Sequence, residues 1–168
     1  MFEFFYPDEY YSSAYKIPYE LLYEQGYRGI IYDIDNTLVP HGAPADDRSI
    51  LLFKRLKAIG YECTLLSNNK QPRVDMFNKD VNVHTISKAG KPKKDGYLKA
   101  CEMMGTNKDN TIFIGDQILT DVLGAKNAGI RSIMVKYMDP NEEIQIVLKR
   151  KLEKIVLREY LKKHEMLE

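Results

Sequence analysis

The sequence predicts an α/β fold of three layers, with a central parallel sheet between two layers of helices. Short apolar segments alternate with helical segments along the chain, and the loops between them are only a few residues long. This alternation is typical of parallel strands that are joined through helices. Polar residues follow the apolar segments directly, so we expect them at the carboxyl ends of the strands, where ligands of such sheets bind.

The core is predicted from residue 29 to about residue 136, within a single domain of residues 1–168. Apolar runs that end at polar or turn-forming residues predict the strands, which are a first strand that starts at Gly29 and stops at Asp33, then Glu62–Leu66, Val83–Ile86, Thr111–Ile114 and Arg131–Val135. Apolar residues at helical spacing predict the helices, which are Pro18 to about Gln25, Pro44–Ile59, Pro72–Asn78, Lys94–Met104 and Ile118–Ala128.

The N-terminal segment, residues 1–28, is rich in aromatic residues. Five tyrosines recur at every fourth position, which is the spacing of one helical face: Tyr11, Tyr15, Tyr19, Tyr23 and Tyr27. We expect the short helix in this segment to pack its tyrosines on the sheet. An alternative is that the surplus aromatic residues, Phe2, Phe4 and Phe5 above all, dock a partner or a lipid surface.

A long C-terminal helix is predicted at about residues 141–165. Its apolar residues mark one face, which we expect to dock on the core: Ile144, Val147, Leu148, Leu152, Ile155 and Val156. Seven basic residues lie between positions 149 and 163. A basic amphipathic helix on an anionic lipid surface is therefore the alternative for this segment.

The overall charge and the cysteine content exclude some classes of protein. The formal net charge is +1, so no global field attracts nucleic acid, and no nucleic-acid partner is expected. The two cysteines fit neither a disulfide framework nor a paired redox motif, which favours a reduced, cytoplasmic location. The first residues are acidic rather than basic, which argues against a secretory signal. No apolar run approaches the roughly 18 residues that a membrane span requires.

The end of the first strand indicates chemistry. Asp33 and Asp35 are separated by one residue, so in an extended segment their side chains share one pocket. Two neighbouring carboxylates repel each other unless a cation lies beside them. The cost of this repulsion is a first hint of a hard divalent metal and of phosphate chemistry.

Other polar residues follow the remaining strands. They are Thr37 after the first strand, Ser67 and Asn68 after the second, Lys91 after the third, and Asp116 and Asp121 after the fourth. Each has an ordinary structural explanation, since such residues also occupy turns, helix N-termini and solvated loops. Together, at one edge of a sheet, carboxylates, a hydroxyl and a lysine favour a site for Mg²⁺ and a phosphoryl group.

Four of these segments resemble the four motifs of the haloacid dehalogenase (HAD) superfamily. They are Asp33-Ile34-Asp35-Asn36-Thr37-Leu38, Ser67-Asn68-Asn69, Lys91-Pro92 and Gly115-Asp116-Gln117-Ile118-Leu119-Thr120-Asp121. The wording of the first and last motifs is similar to the YqeG-type phosphatases of subfamily IIIA, which are related to the mitochondrial phosphatidylglycerophosphate phosphatases. The resemblance covers residues 29–135 and implies a Rossmann-like fold.

The resemblance also implies a role for each matching residue. Asp33 would be the nucleophile that forms an aspartyl-phosphate, and Asp35 the general acid and base whose backbone carbonyl also binds Mg²⁺. Thr37 would support the loop, Ser67 would bind the phosphoryl group, and Lys91 would offset charge. Asp116 would bind Mg²⁺ together with Asp33, and Asp121 would support the metal site from behind. Apart from the resemblance, the backbone amides at Ser67 and Asn68 are also candidates for binding phosphoryl oxygens.

The spacing of the motifs leaves no room for a cap domain. About thirty residues separate Asp33 from Ser67, and about two dozen separate Ser67 from Lys91. A helix and a strand fill each interval, so the site stays open to water unless something else covers it. Either the substrate is large, or a neighbouring subunit of a homo-oligomer or the aromatic N-terminus closes the site.

The sequence therefore predicts a Mg²⁺-dependent phosphatase of a phosphate monoester, with phosphatidylglycerophosphate as the first named substrate. A soluble sugar phosphate or nucleotide is the alternative substrate, and a non-catalytic binding or scaffolding protein is the alternative function. A response-regulator receiver is disfavoured, because its lysine comes last, whereas Asp116 and Asp121 follow Lys91 here. A peripheral membrane contact is compatible with the lipid substrate.

Overall fold

The structure, a computed structural model, describes residues 1–139, 142 and 144–168. Six strands form one parallel sheet in the order β1-β6-β5-β2-β3-β4. The strands are β1 (Glu9–Tyr11), β2 (Gly29–Tyr32), β3 (Glu62–Leu66), β4 (His84–Ile86), β5 (Thr111–Gly115) and β6 (Arg131–Val135). The helices are α1 (Tyr19–Glu24), α2 (Asp47–Ile59), α3 (Gln71–Asn78), α4 (Asp95–Met104), α5 (Leu123–Ala128) and α6 (Ile144–Leu161).

The predicted three-layer α/β fold is confirmed by the way in which the central strand divides the core. Ile30 and Tyr32 of β2 belong to a hydrophobic cluster with side chains of α1, α2 and α3. Ile31, between them, belongs to a second cluster with side chains of α4 and α5. Because successive side chains of a strand point to opposite faces, the helices cover both faces of the sheet. No separate domain interrupts residues 29–136, as the motif spacing predicts.

The predicted strands are all present, but the structure adds one at the edge of the sheet. Residues Glu9–Tyr11 pair in parallel with β6, with Tyr10 opposite Met134. This strand is only three residues long and lies among closely spaced tyrosines, so it carries no alternating pattern of its own.

The helix predicted from Pro18 to about Gln25 is present as α1, but the tyrosines at every fourth position do not all lie in it. Only Tyr19 and Tyr23 lie in α1, while Tyr11 is in β1 and Tyr15 in a 3₁₀ turn. Tyr19 is fully buried; its hydroxyl donates to the carbonyl of Ala14 at 2.6 Å and accepts from Tyr32 at 2.7 Å. The tyrosines still pack on the sheet, but from several short elements.

Two other boundaries differ from the prediction for local reasons. Helix α2 begins at Asp47 rather than Pro44, because Asp46 caps it: the Asp46 carboxylate accepts from the Ser49 amide at 2.8 Å, and the Ser49 hydroxyl accepts from the Asp46 amide at 2.9 Å. The helix predicted over residues 118–128 starts as a π-helical segment at Ile118–Val122 and continues as α5.

Helix α6 docks on the opposite face from the one that the sequence predicts. Of the six apolar residues expected to dock, only Val156 is buried. The helix instead buries Arg150, Glu153 and Tyr160 together with Val156. The predicted start of this helix, at residue 141, lies outside the described residues.

Candidate active site

The site lies where β2 and β5 end side by side. Tyr32 is opposite Ile114 in the sheet, so Asp33 and Asp116 leave their strands at the same edge. The Thr37 hydroxyl lies between them, 3.0 Å from Asp116 Oδ1 and 3.4 Å from Asp33 Oδ2. Asp33, Asp116 and Asp121 are all buried, and one oxygen of each lies within 4.8 Å of the others.

Lys91 is the cation of this cluster. Its ammonium donates to Asp33 Oδ1 at 2.9 Å and to Asp121 Oδ1 at 2.7 Å, and only 4% of its side chain is exposed. Asp121 Oδ2 accepts from the backbone amides of Asp116 and Gln117, each at 3.1 Å. Both oxygens of Asp121 are therefore engaged, so this carboxylate positions Lys91 and the end of β5.

Burial and mutual repulsion set the pKa values in the cluster. Burial raises the pKa of Asp33 well above its usual range, and Asp121 adds to the effect while Lys91 opposes it. Burial likewise raises the pKa of Asp116 to about 6 against the influence of Arg150. Burial disfavours the charged form of Lys91, but Asp121 and Asp33 outweigh it and raise the lysine pKa. The lysine stays charged, whereas Asp33 and Asp116 require additional positive charge to ionise together.

The carboxylate of Asp35 does not belong to the cluster of Asp33, Asp116 and Asp121. Its Oδ1 accepts from the Gly42 amide at 2.7 Å and from Arg73 Nη2 at 2.9 Å, and its Oδ2 accepts from Asn69 at 2.7 Å. Asp33 and Asp35 do line the same cavity, as the spacing of the two residues suggests. Their carboxylates have different partners, because the chain turns after Asp33 and no longer continues as an ideal strand.

Ser67 and Asn68 reach the site from the end of β3. Ser67 is 1% exposed and lines the cavity. Its hydroxyl oxygen accepts from the backbone amide of Asn69 at 3.0 Å. The Asn68 side chain accepts from the backbone amide of Lys91 at 2.8 Å and donates to the Lys91 carbonyl at 3.2 Å. Asn68 therefore holds the lysine loop in place with its side chain.

Sequence reasoning missed a second buried cation, Arg150 of α6. Its guanidinium forms an ion pair with Asp116 Oδ2 and also donates to the Asp116 carbonyl at 2.8 Å. Glu142 and Glu153 accept from the same guanidinium at 2.6 Å and 3.1 Å. The sequence contains a pattern that could have indicated this buried ion pair. Arg150 and Glu153 lie three residues apart, on the helical face opposite the apolar stripe.

A cavity of about 330 Å³ opens in front of these groups. The buried residues Asp33, Ser67 and Lys91 form its floor. Its rim includes side chains from the C-terminal region, namely Glu142, Gln145, Ile146 and Lys149. The aromatic N-terminus does not line the cavity. Phe2 and Phe5 pack instead against a cluster that contains Val156 and Tyr160.

The donor set fits a small, hard divalent cation. Asp33 Oδ2 and Asp116 Oδ1 both face Thr37 and accept no hydrogen bond from a charged group of the described residues. These two oxygens are the carboxylate ligands that the chain offers, in line with the preference of Mg²⁺ for a few carboxylate oxygens plus water. Five carboxylates surround two cations here, and the excess of negative charge also favours a cation.

The comparisons with known proteins agree with the geometry. A family model described as HAD-hydrolase-like matches residues 88–138. Over 156 residues the chain is 36% identical to the probable phosphatase YqeG of Bacillus subtilis, a match that covers 92% of this chain and 91% of that protein. It is 22% identical to phosphatidylglycerophosphate phosphatase 1 of Arabidopsis thaliana over 88% of this chain and 45% of that protein.

Among solved structures, the chain resembles deoxy-D-mannose-octulosonate 8-phosphate phosphatase from Haemophilus influenzae in its cobalt-bound form. The TM-score is 0.57 at 14% identity, and the match covers 83% of this chain and 90% of that one. This likeness concerns the fold. The similarity to YqeG over nearly the whole length of both proteins decides the family, and the chain therefore belongs to the haloacid dehalogenase superfamily, in its YqeG-type group of phosphatases.

Proposed function

We propose that this phosphatase hydrolyses a phosphate monoester with the help of Mg²⁺ and through an aspartyl-phosphate on Asp33. The observation that carries the proposal is the convergence of Asp33, Ser67 and Lys91 on the floor of one cavity, with Asp116 directly behind. A nucleophile, a hydroxyl donor and a fixed cation are the groups that phosphoryl transfer requires at one place.

In the first half of the reaction, a carboxylate oxygen of Asp33 attacks the phosphorus atom and the bond from phosphorus to the ester oxygen breaks. The leaving oxygen takes a proton from Asp35, which lines the same cavity. In the second half, water attacks the phosphorus atom, Asp35 accepts the proton of the water, and the bond between phosphorus and Asp33 breaks to release inorganic phosphate.

Each remaining residue supports these steps from where it lies. Lys91 is 2.9 Å from Asp33 and neutralises charge on the nucleophile and on the phosphoryl group. Ser67 binds a phosphoryl oxygen, and Thr37 holds the carboxylates of Asp33 and Asp116 in place. Asp33, Asp116 and the backbone carbonyl of Asp35 would hold Mg²⁺, which supplies charge stabilisation to the transferring phosphoryl group.

Phosphatidylglycerophosphate is the substrate that we propose first. The support is the similarity to a plant protein that carries this activity in its name. A cytoplasmic protein with a peripheral membrane contact would meet such a lipid at the inner surface of a membrane. A soluble sugar phosphate or nucleotide is the second candidate, because the cavity is polar at its floor and open at its rim.

The test is phosphate release from an aryl phosphate with and without Mg²⁺. We expect wild-type turnover to require Mg²⁺ and Asp33→Asn to lose at least about three orders of magnitude in kcat, since the nucleophile is removed. Asp47→Asn, an exposed carboxylate at the start of α2, is the matched control and should leave the rate unchanged. Activity that survives Asp33→Asn would exclude the mechanism, and an inactive wild type would favour a binding or scaffolding role.

A substrate panel separates the two substrate classes. Rates on phosphatidylglycerophosphate in mixed micelles are compared with rates on sugar phosphates and nucleoside monophosphates. A kcat/KM for the lipid that is no higher than for the soluble esters would contradict the lipid assignment and leave the chemistry intact.

A further inference from the structure

The surface of α6 that faces away from the core is apolar. Four aliphatic side chains follow one another at spacings of four, four and three residues, which places them on one helical face. Their exposed fractions are 76% for Ile144, 57% for Leu148, 60% for Leu152 and 49% for Ile155. We call these four residues the outer stripe. A contiguous apolar surface of this kind on a folded chain marks an interaction site.

The core does not need this surface. Helix α6 is already anchored on its other face, where Arg150 pairs with Asp116 and Glu153, and where Val156 and Tyr160 pack against Tyr10 and Met134. The outer stripe is therefore left for something outside the chain, whereas a helix that only covers the core would expose polar residues there.

Basic residues accompany the outer stripe. Lys149, Lys151, Lys154 and Arg158 are exposed, and none of them forms an ion pair with a carboxylate of the described residues. Glu159, which is half-exposed on the same helix, pairs with Lys162 and not with any of these four cations. The net charge of the whole chain is only +1, so this positive charge is a local feature of α6.

We propose that α6 docks this phosphatase on an anionic lipid membrane, with the outer stripe inserted among the headgroups and the four cations facing the lipid phosphates. An apolar stripe with unpaired cations beside it is the pattern of a helix that lies in a membrane interface. A second copy of the chain fits less well, because the same stripe on the partner would bring its own cations against these. Among the helices that the structure describes, none has the length and hydropathy of a membrane span.

The docked helix also borders the active site. Gln145, Ile146 and Lys149 belong to its first turns and line the cavity that contains Asp33. Docking through the outer stripe therefore brings the rim of the cavity to the lipid surface. Of the residues assigned to the docking surface, Lys149 also lines the cavity, whereas none of the four stripe residues does. Docking through the outer stripe can therefore be tested separately from the proposed chemistry.

The test is co-sedimentation of the full chain with lipid vesicles. We expect binding to vesicles that contain phosphatidylglycerol and little binding to pure phosphatidylcholine. Leu148→Ser with Leu152→Ser should weaken binding more than about tenfold, because two apolar side chains no longer insert. Lys151→Gln with Lys154→Gln should weaken it about tenfold or more on anionic vesicles.

The control is the matched pair Leu51→Ser with Lys57→Gln on α2, since Leu51 is 63% exposed and lies far along the chain from α6. It should bind as the parent does. Equal loss in the control, no vesicle binding by the parent, or equal binding to neutral and anionic vesicles would each overturn the proposal. A dimer in light scattering that the Leu148/Leu152 variant dissociates, without vesicle binding, would assign the stripe to a second copy instead.

Discussion

Asp33 and Asp35 show how two identical residues obtain different properties from their neighbours. Asp33 is buried beside Lys91, Asp116 and Asp121, whereas Asp35 is held by Arg73 and a backbone amide at the side of the cavity. A buried carboxylate next to a fixed cation is placed for attack, and one that shares hydrogen-bonding groups at the cavity wall is placed for proton exchange. The sequence predicts that both residues line one pocket. The assignment of Asp33 as nucleophile and Asp35 as general acid and base is a proposal, which these different partners support.

We expect Asp116 to make the proposed reaction sensitive to pH. Burial raises its pKa from 3.8 to about 6, so the folded protein holds this proton more tightly than the unfolded chain does. Below about pH 6 the group is neutral and a poor metal ligand; above it, the carboxylate is available. The contribution of Asp116 to folding stability has the opposite pH dependence. It stabilises the folded state most below pH 3.8, and this stabilisation is lost as the pH rises through about 6.

We therefore expect kcat/KM at limiting Mg²⁺ to fall as the pH decreases through about 6. Higher Mg²⁺ should move the falling limb to lower pH, because the metal competes with the proton for the same oxygen. The measurement is a pH–rate profile on an aryl phosphate at two Mg²⁺ concentrations. A limb that stays at the same pH at both concentrations would show that another group controls it.

At the scale of elements, α6 connects the C-terminal part of the chain to the carboxylate cluster of Asp33, Asp116 and Asp121. Arg150 is the link, because its guanidinium contacts Asp116, Glu142 and Glu153 while only 8% of its side chain is exposed. Glu142 in turn accepts at 2.8 Å from the side chain of Asn36, which belongs to the first motif. The residues that border the cavity from above therefore come from the C-terminal part of the chain, and the ion pairs of Arg150 hold this part in place.

Arg150→Met tests this anchor. The change leaves three buried carboxylates without their cation, so we expect a loss of about 3–5 kcal/mol in the free energy of unfolding without metal. Mg²⁺ should restore part of the loss, because it supplies positive charge at Asp116. The measurement is urea unfolding in EDTA and in Mg²⁺, with the larger Mg²⁺ effect expected in the variant.

Lys151→Met is the control, since this lysine is exposed on the same helix. Its effect should stay within about 0.5 kcal/mol. If both variants lose the same stability, the network does not anchor the helix.

At the scale of the whole molecule, the two ends of the chain meet at the edge of the sheet. The Leu167 amide donates to the Tyr10 carbonyl at 2.7 Å, and the Ser12 amide donates to the Leu167 carbonyl at 2.9 Å. These bonds cover the outer side of β1, which would otherwise present unpaired backbone groups. The site lies at the carboxyl ends of the strands, and no residue of this terminal segment lines its cavity.

Removal of residues 165–168 should therefore reduce stability and leave catalysis unchanged. Two backbone hydrogen bonds are lost, at about 1 kcal/mol each, and β1 becomes an exposed edge. Urea unfolding measures the first effect and kcat/KM on an aryl phosphate the second. Removal of Glu168 alone keeps both bonds and serves as the control, and a large loss of kcat/KM in the longer deletion would contradict this separation.

Most of the fold and the positions of the motifs follow from the sequence alone. Local apolar runs and turn residues define β2, β3, β5 and β6, and their order with helices between them determines a parallel sheet. A parallel sheet places the residues after its strands at one edge, which is why Asp33, Ser67 and Asp116 could be assigned to one site before any contact was known.

Only the tertiary structure decides what depends on contacts between distant parts of the chain. The pairing of Arg150 with Asp116 joins residues that are 34 positions apart, and β1 forms only because β6 offers an edge. The face that α6 buries is decided in the same way. Its apolar stripe predicts docking on the core, yet the buried carboxylate of Asp116 attracts Arg150 inward, and the stripe is turned outward.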